Sequence, residues 1–597
     1  MYLATIFSVF LILCIGQARG NHAAAGTSFI TAFPQLMKDK NMTSSLHFMT
    51  QGTDNVTVNV RSLSTSSKPI DESVQVSPGI VTVFRIPYQL ESPMGNVITN
   101  DAVKVIATSP IFVEAILQSP SNDDFHPLIP DEFLGKRYFA ATFRKSLPIT
   151  TSFLLVVARD LDTDVTVDLG QLSDAETIEM NGVTYDETDV LRVTLHEMQT
   201  LQIQTASDLT GSKITSTKPV AVYSGQNRTH ILSPGSGGCV SHISDQLPPV
   251  ENLGRKFVLV ASPDQDGGDF YRFVASEALT TVLIESDPRI TARLLLPGDF
   301  YEYDLESVEY VFVESDKPVM IVQITKSASV PRLRNTTGDP SMAVLAPLEQ
   351  GENFYVFSHS LAIEDVYFTF VVESSANDGI RLNNLTLSEY GIVWRAVPGA
   401  DLVAGYVMLH DVTPQMMKLH HEAGHVFNVH VNLKRNCEAR SMPLTYGKPM
   451  TVDSASLNSS GTARDAICQI TTQLKGDNVD NDCDGHVDEE SCSPDDDMTD
   501  DDGDGFIDED CAADTFRWNV YRPRDASKKL AEVVQTVSVK SHGRCVFTCV
   551  QQEHCWGVNF LPSTTLTSDP NCELLSGSGL GLVDDSNWRF YEARNRI

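Results

Sequence analysis

Basic residues, cysteines and long apolar runs are all scarce in most of this 597-residue sequence. Lysine and arginine total 44 against 78 aspartates and glutamates, which gives a formal net charge of −34. This balance argues against a nucleic-acid partner, because phosphates are held by clustered basic residues. After residue 20, no apolar run is long enough to predict a membrane span. The polar C-terminal sequence WRFYEARNRI predicts no lipid-anchor signal.

The first 20 residues, MYLATIFSVFLILCIGQARG, are apolar and end in small residues. They predict a secretory signal peptide over 1–20, cleaved after Ala18 or Gly20; a signal anchor is the alternative, because the segment begins without Lys or Arg. Cleavage removes Cys14 and leaves ten cysteines, an even number typical of disulfide-bonded secreted proteins. We therefore predict an extracellular glycoprotein. Its N-x-S/T sequons lie at Asn41, Asn55, Asn227, Asn335, Asn384 and Asn458.

Residues 21–435 contain one cysteine, Cys239, and no long amphipathic helical pattern. They are rich in short runs of Val, Ile, Thr and Phe that are separated by turn residues. FLLVVA, VTVDL, TLQIQT, TVLIES, YVFVES and YVFSHS are examples. Such runs are typical of β-strands. The region is therefore predicted to be mainly β, with strands packed in sandwich-like layers.

A repeat runs through this β-rich region. In the segments ATSPIFVEAIL, STKPVAVYSG and SDKPVMIVQI, we predict that one strand ends in Ser, Thr or Lys and that a second apolar strand follows the proline. Their prolines, Pro110, Pro219 and Pro318, are spaced 109 and 99 residues apart. Proline suits the first residue of a strand, where a missing N–H costs little. The spacing predicts three β modules of about 100 residues each, followed by a fourth part.

Four segments of this region also occur in a fixed order in a known family. KPVAVYSGQ, GGCVSHISDQLPPVENLGRKFVLVA, DKPVMIVQI and GDPSMAVLAPLEQ resemble the N-terminal domain of IgGFc-binding proteins, over roughly residues 25–435. The resemblance implies a binding domain. The family is named for a mucus protein that binds antibody and continues into von Willebrand type D repeats, which this sequence lacks. Many relatives share only the N-terminal domain, so antibody binding is not implied.

The segment His421-Glu422-Ala423-Gly424-His425 matches H-E-x-x-H, the helical zinc-binding motif of metalloproteases. The flanking residues alternate with period two, which predicts strands. In a helix, Gly424 would cost about 1 kcal/mol relative to alanine. The extended protease motif needs histidine where Val431 stands. We predict a hairpin turn without catalytic zinc, and no enzyme. A zinc metalloprotease that uses His421, Glu422 and His425 is the alternative, and adventitious zinc binding stays open.

A predicted linker, 436–476, leads into the most acidic part of the chain. Residues 477–510 contain 17 Asp or Glu and no Lys or Arg, and DNDCDGHVDEE and DDDGDGFIDED repeat at 20 residues. Alternate carboxylates, a glycine turn and a main-chain carbonyl form a Ca²⁺ loop. The twelfth residue of each loop is not the glutamate that an EF-hand has there, so the aspartate at the ninth position must supply the last ligand. The pattern resembles thrombospondin type 3 and D-N-D-C-D-G repeats. Residues 477–511 thus predict two Ca²⁺ sites, with a plain acidic linker as the alternative. The expected ligands are Asp480, Asp482, Asp484, the His486 carbonyl and Asp488, then Asp500, Asp502, Asp504, the Phe506 carbonyl and Asp508.

Residues 512–597 contain GRCVFTCVQQEHCWGVNF and NCELL. Cysteines four residues apart on a short helix face one way, and CWGVNF is typical of a strand. The segment resembles a short PAN/apple module, a small disulfide-rich α+β fold whose members bind proteins or sugars. Four cysteines allow three pairings. The resemblance implies Cys545–Cys572 and Cys549–Cys555; a generic disulfide-rich module is the alternative. The pairing of the other cysteines stays open, including Cys239 with Cys437, with Cys468 or with another chain.

Together these features predict a secreted, non-enzymatic adhesion or recognition glycoprotein that binds extracellular proteins or glycans. Calcium would stabilise its acidic segment. A purely structural matrix or mucus component is a further alternative.

Overall fold

The computed structural model describes residues 25–444 with short gaps, together with six strands between residues 527 and 592. The gaps are 35–42, 119–122, 145, 147–149, 173–175, 232–239, 264–267, 306–309, 328–339, 360–364, 411–414 and 436–437. The chain forms two compact units, Met1–Val452 and Asp453–Ile597. Within the described residues, no helix has the length and apolar character needed to span a membrane.

Module 1 is a sheet built around one long strand, β9, with neighbours in the order β5-β4-β9-β3-β6. Strands β1 and β10 also pair with β9, and β2 pairs with β7. The strands are β1 Gly26–Thr31, β2 Phe33–Pro34, β3 Thr43–Met49, β4 Val56–Ser62, β5 Asp71–Val76, β6 Thr82–Ile86, β7 Glu91–Ser92, β8 Val97–Thr99, β9 Val103–Gln118 and β10 Asp123–Pro127.

Module 2 repeats this plan with the order β16-β13-β18-β12-β17, and β11 and β19 also pair with the long strand β18. A separate hairpin, β14-β15, is inserted. The strands are β11 Gly135–Phe139, β12 Ser152–Ala158, β13 Thr163–Asp168, β14 Ile178–Met180, β15 Val183–Tyr185, β16 Val190–Leu195, β17 Thr200–Thr205, β18 Lys213–Thr229 and β19 Ser241–Gln246.

Module 3 has the same plan again, in the order β23-β22-β25-β21-β24 with β20 and β26 on the long strand β25. The strands are β20 Gly254–Val260, β21 Asp269–Ala275, β22 Thr280–Ile284, β23 Ile290–Leu294, β24 Phe300–Leu305, β25 Tyr310–Thr325 and β26 Met342–Val344. The three matching strand orders confirm the repeat that the proline spacing predicts.

The repeated prolines lie inside the long strands, and the prediction that each separates two strands is wrong. Pro110 lies in β9, Pro219 in β18 and Pro318 in β25. The pairing partners change around each proline: β4 pairs with residues 103–107 of β9, whereas β3 pairs with residues 112–118. The register of β1 along β9 also shifts here. A residue without an N–H is tolerated where a ladder is interrupted, so one strand continues through both halves of a curled sheet.

Module 4 is a two-sheet sandwich with the orders β27-β33-β29-β30 and β31-β32-β28-β34-β35. Phe357, Phe368 and Leu419 belong to the buried apolar cluster that forms its core. Strand β35 lies within the predicted linker 436–476, so the β domain continues beyond the predicted end at residue 435. The strands are β27 Phe354–His359, β28 Asp365–Glu373, β29 Ile380–Leu382, β30 Leu385–Thr386, β31 Arg395–Ala396, β32 Leu402–Leu409, β33 Gln415–His421, β34 Asn428–Arg435 and β35 Glu438–Pro443.

The four modules are joined in two ways. The last strands of the modules contact one another in a closed ring, β10 to β19 to β26 to β35 and back to β10. In addition, the glycine that begins a module packs against a proline just before the next one: Gly26 on Pro130, Gly135 on Pro249 and Gly254 on Pro347. A Cβ at any of these glycines would overlap the proline ring, so the close approach requires glycine.

Helical structure is limited to short 3₁₀ turns among the described residues, and three of them follow the module-joining prolines. They are Tyr88–Leu90, Asp131–Phe133, Val250–Asn252, Leu348–Gln350, Asn377–Gly379 and Leu387–Tyr390. The expectation of a mainly β fold is therefore confirmed; the structure adds that the sheets of modules 1 to 3 are curled.

The described part of the second unit consists of two small sheets, β37-β39-β38-β41 and β36-β40. Two of its strands, β38 and β39, coincide with the strand-like segments GVNF and CELL of the sequence. The strands are β36 Ser527–Lys529, β37 Glu532–Val537, β38 Gly557–Phe560, β39 Cys572–Ser576, β40 Leu582–Asp584 and β41 Arg589–Glu592. The predicted two-cysteine helix lies outside the described residues.

Candidate functional site

The H-E-x-x-H segment lies on a turn between two strands, as the period-two pattern predicts. Strand β33 ends at His421 and β34 begins at Asn428, with Gly424 at φ +78° in the turn between them. The expected hairpin, however, is wrong. Strand β33 pairs with β27 and β29 in one sheet, whereas β34 pairs with β28 and β35 in the other. The turn therefore carries the chain across the sandwich, and its two strands are not paired with each other.

His421 is committed to structural hydrogen bonds. Its Nε2 lies 2.7 Å from the Ala376 carbonyl oxygen, and the Ala423 N–H donates to Nδ1 at 3.1 Å. A carbonyl only accepts and an N–H only donates, so the ring is the neutral Nε2–H tautomer. Gly379 packs directly against this buried ring, where a Cβ would overlap it. Neither ring nitrogen offers a lone pair to a metal ion.

Glu422 is also engaged in a structural contact, and His425 lies on the surface. Arg381 binds Glu422 through two contacts, Nε to Oε1 at 2.9 Å and Nη2 to Oε2 at 2.5 Å. His425 is exposed, with its ring centre 4.9 Å from that of His421. His430, on β34, is buried beside Ser441, and burial lowers its pKa to about 3. Among the residues that the structure describes, no three His, Cys, Asp or Glu side chains form a metal-binding group.

The expected sequons differ in accessibility. Asn55 and Asn384 are exposed, the latter in the tight turn between β29 and β30. Asn227 is only 3% exposed, and its Oδ1 accepts the Thr151 N–H at 2.9 Å. Because oligosaccharyltransferase modifies Nδ2, which is enclosed here, the expectation of a glycan at Asn227 does not fit the folded module.

Several predicted site residues lie outside the described residues. These are the ten calcium-loop positions from Asp480 to Asp508, the sequons Asn41, Asn335 and Asn458, and every cysteine except Cys572, which begins β39. The calcium sites and both implied disulfides remain predictions.

The junction between modules 2 and 3 contains a buried charged group that sequence reasoning missed. Arg272 on β21 is 1% exposed. Its Nη1 donates to Asp208 Oδ2 at 2.8 Å and its Nη2 to Glu302 Oε2 at 2.9 Å. Its guanidinium carbon lies 4.8 Å from the Phe143 ring centre and 4.7 Å from that of Phe300. The sequence does contain a signal for this buried charge, because an arginine stands inside the apolar strand DFYRFVA.

The ionised state of Asp208 depends on this contact. Burial alone would raise the pKa of Asp208, but the charge of Arg272 and hydrogen bonds from Thr210 and Thr142 lower it below its usual value. Arg272 also donates to the Thr142 carbonyl at 2.9 Å. The arginine thus holds together side chains and backbone of two modules.

The junction between modules 1 and 2 contains buried histidines. His126 of module 1 packs against Tyr223 of module 2, with 5.3 Å between ring centres and the rings tilted by 54°. His242 of module 2 stacks on Phe153 of the same module at 5.5 Å, and its Nε2 lies 3.5 Å from Asp124 Oδ2 of module 1. Burial lowers the pKa of His126 and of His242 to about 3. Both imidazoles are therefore neutral at physiological pH. They are enclosed, so they serve packing between modules and do not form an accessible site.

Modules 1 and 4 meet at a buried carboxyl group. The Ser358 N–H donates to Glu114 Oε1 at 3.2 Å, and the Ser358 hydroxyl donates to Oε2. Burial raises the pKa of Glu114 to about 7, although the two bonds from Ser358 oppose the rise. Together the three junctions make a continuous, tightly joined scaffold whose candidate recognition surfaces are on its outside.

Comparison with known proteins finds sequence matches over much of the β domain. A family model described as "IgGFc binding protein" matches residues 124–426, from β10 of module 1 to the turn after β33. The human IgGFc-binding protein is 28% identical over 332 residues, which cover 55% of this chain and 6% of that protein. The family match is shorter than the predicted resemblance over 25–435, and it does not extend to the calcium or PAN/apple-like segments. Because the match spans slightly more than half of the 597 residues, the chain belongs to the IgGFc-binding protein family.

Proposed function

We propose that this protein is a secreted, non-enzymatic recognition glycoprotein whose β domain binds extracellular proteins or glycans. The single observation that carries the proposal is the family match over residues 124–426, since the family is named for binding. The match to the human protein covers only 6% of that relative. Binding of antibody Fc is therefore not transferred to this chain.

The geometry of the β domain supports binding over catalysis. Its modules are joined by the buried Arg272–Asp208 ion pair and by packing of buried rings, which suits a preorganised surface, because a rigid surface loses little entropy on binding. At the H-E-x-x-H turn, His421 and Glu422 are already bound to Ala376 and Arg381. The metalloprotease alternative would require both contacts to break and a helix to replace two strands.

Calcium binding by residues 477–511 is the second part of the proposal. In chelator, 17 carboxylates in 34 residues repel one another. Two Ca²⁺ ions would neutralise part of this charge and close the two loops. The β domain and the PAN/apple-like tail would then bind a partner at two points, and the second contact would gain from a high effective concentration.

The test uses the full-length protein, immobilised and exposed to extracellular fluid and to a glycan array, in calcium or in chelator. We expect specific proteins or glycans to be retained in calcium and retained more weakly in chelator. The double variant Asp482→Ala, Asp502→Ala should bind weakly in both conditions. Asp496→Asn, which changes the same charged segment outside the two loops, is the matched control and should behave like the wild type.

Other outcomes separate the alternatives. A protein that retains nothing but assembles into large oligomers would support the structural matrix alternative. Chelator-sensitive proteolysis, abolished by Glu422→Gln, would replace the binding proposal with the metalloprotease.

A further inference from the structure

The three similar modules place one strand at an equivalent position in their sheets. This strand is β6 in module 1, β17 in module 2 and β24 in module 3. Each pairs on one side with a neighbour inside its own module: β3, β12 and β21, respectively. A strand carries hydrogen-bonding groups on both sides, so the second side of each strand requires water or another partner.

Module 2 shows that this position accepts an added strand. Strand β8, from the end of module 1, pairs antiparallel with residues 200–202 of β17. Side chains reinforce the pairing: Gln202 Nε2 donates to the Pro93 carbonyl at 2.6 Å, and the Gly95 N–H donates to Gln204 Oε1 at 2.9 Å. A segment as short as Val97–Thr99 is therefore sufficient to extend the sheet here.

In module 3, the outer side of the equivalent strand, β24, faces another strand of the same sheet. Its sheet curls until β24 lies close to β23, which comes from the opposite end of the strand order. In module 1, by contrast, β6 is paired with β3 alone among the strands that the structure describes. Among the strands that the structure describes, β6 is the one of the three that neither pairs with an added strand, as β17 does, nor shows the contact with the far end of its own sheet that β24 makes.

The side chains along β6 also suit a partner. Val83 is 50% exposed, and Ile80 and Tyr88 at the two ends of the strand are 61% and 70% exposed. Phe84, between Val83 and Arg85, is buried and anchors β6 to the core of module 1. Arg85 is exposed and makes no ion pair with the described part of the chain. The edge thus combines a fixed backbone, outward apolar groups and an available positive charge.

We propose that the outer edge of β6 binds an extended segment of an extracellular partner protein, which adds to the sheet as β8 does on β17. This inference rests on the proposed function, and it names the surface and the class of ligand. Main-chain hydrogen bonds would hold the segment and alternate side chains would select it. Val83 favours a β-branched residue opposite it, and Arg85 favours Asp or Glu.

The experiment pans a phage-displayed library of random ten-residue peptides on the full-length protein. We expect enrichment of sequences that place a β-branched residue and an acidic residue two positions apart, because Val83 and Arg85 lie on the same face of β6. The best sequence, made as a synthetic peptide, should slow hydrogen exchange of the amides in residues 80–88, because strand addition protects backbone N–H groups. Failure to enrich such peptides, or protection confined to another segment, overturns the proposal.

Three variants provide the controls. Arg85→Glu should weaken peptide binding roughly tenfold and shift selection towards basic peptides, while Val83→Asp should weaken it at least as much. Val190→Asp, on the exposed edge strand β16 of module 2, should bind like the wild type. If Val83→Asp misfolds, Arg85→Glu still tests the proposal, because the Arg85 side chain is exposed and its replacement should not disturb the fold. Equal peptide binding by the wild type and by Arg85→Glu overturns the proposal. Dimerisation of the wild type that Val83→Asp abolishes also overturns it, because the segment bound at β6 would then come from a second copy of the chain.

Retention of extracellular partners separates this inference from the proposed function. If wild type and Arg85→Glu retain the same partners equally, the edge is not the recognition surface and the proposed function stands. If the wild type retains no protein or glycan, the proposed function fails as well.

Discussion

Replacing Arg272 with methionine tests whether the buried ion pairs hold modules 2 and 3 together. Arg272 donates five hydrogen bonds, two to Glu302, one to Asp208, one to Thr142 and one to Thr210. Methionine keeps much of the apolar stem but leaves Asp208 without its cation, whereas Glu302 keeps its 2.7 Å contact with the exposed Arg144. Removing one partner of a buried ion pair typically costs about 3–5 kcal/mol, because the remaining charge is desolvated and unpaired. We therefore expect Arg272→Met to lower the free energy of unfolding by about that amount.

The assay is equilibrium unfolding of the full-length protein in guanidinium chloride at pH 7. The matched control is Arg137→Met, which removes an arginine–carboxylate contact between module 2 and the 3₁₀ turn Val250–Asn252 that leads into module 3. Arg137 and Glu251 are 57% and 44% exposed, so the control should lose less than about 1 kcal/mol. Adding Asp208→Asn to Arg272→Met should recover part of the loss, because one unpaired charge disappears. A loss for Arg272→Met no larger than that of the control would refute the reasoning.

Three further predictions concern acid stability, glycosylation and the H-E-x-x-H turn. The pKa of His126 and of His242 is about 3 in the folded state and near 6.5 unfolded, so each makes stability fall as the pH drops below 6.5, by about 1.4 kcal/mol per unit. Glu114 acts in the opposite direction, because its pKa of about 7 in the folded state lies above the ordinary value of 4.5. Between pH 7 and 4.5 the folded state binds a proton that the unfolded chain does not, so this group makes stability rise as the pH falls. His430, whose pKa burial also lowers to about 3, adds the same slope as each of these two histidines. Together the four groups should make stability fall by about 2.8 kcal/mol per unit from pH 6.5 to 4.5, and unfolding curves of His126→Leu should show a slope smaller by about 1.4 kcal/mol per unit. Glycopeptide mass spectrometry should find Asn227 unmodified, and stoichiometric glycan there would contradict the buried geometry. Glu422→Gln should leave zinc content unchanged and shift stability by less than about 1 kcal/mol, since the Arg381 contact is solvent-exposed on the glutamate side; metal analysis and thermal unfolding check both.

Much of the fold is predictable because strand formation depends on local sequence. Period-two alternation and turn residues locate strands such as β12, β17 and β25, and the recurring prolines reveal the three-module repeat. The same local pattern shows that the H-E-x-x-H segment is not helical. Composition and the N-terminal apolar run also predict secretion, and the acidic repeats predict calcium loops, neither of which depends on knowing which strands pair.

Only the tertiary structure decides which distant segments meet. Local alternation cannot reveal that β33 and β34 belong to opposite sheets, because a tight hairpin and a crossing between sheets begin with the same pattern. Nor can it reveal that Arg272 meets Asp208, 64 residues away, or that a sequon at Asn227 is enclosed. These outcomes depend on how the curled sheets pack side chains that are far apart in the chain. The open edge of β6 is of the same kind: its sequence resembles other strands, and it is exposed because no described strand covers its outer side, while β8 covers the equivalent edge of module 2.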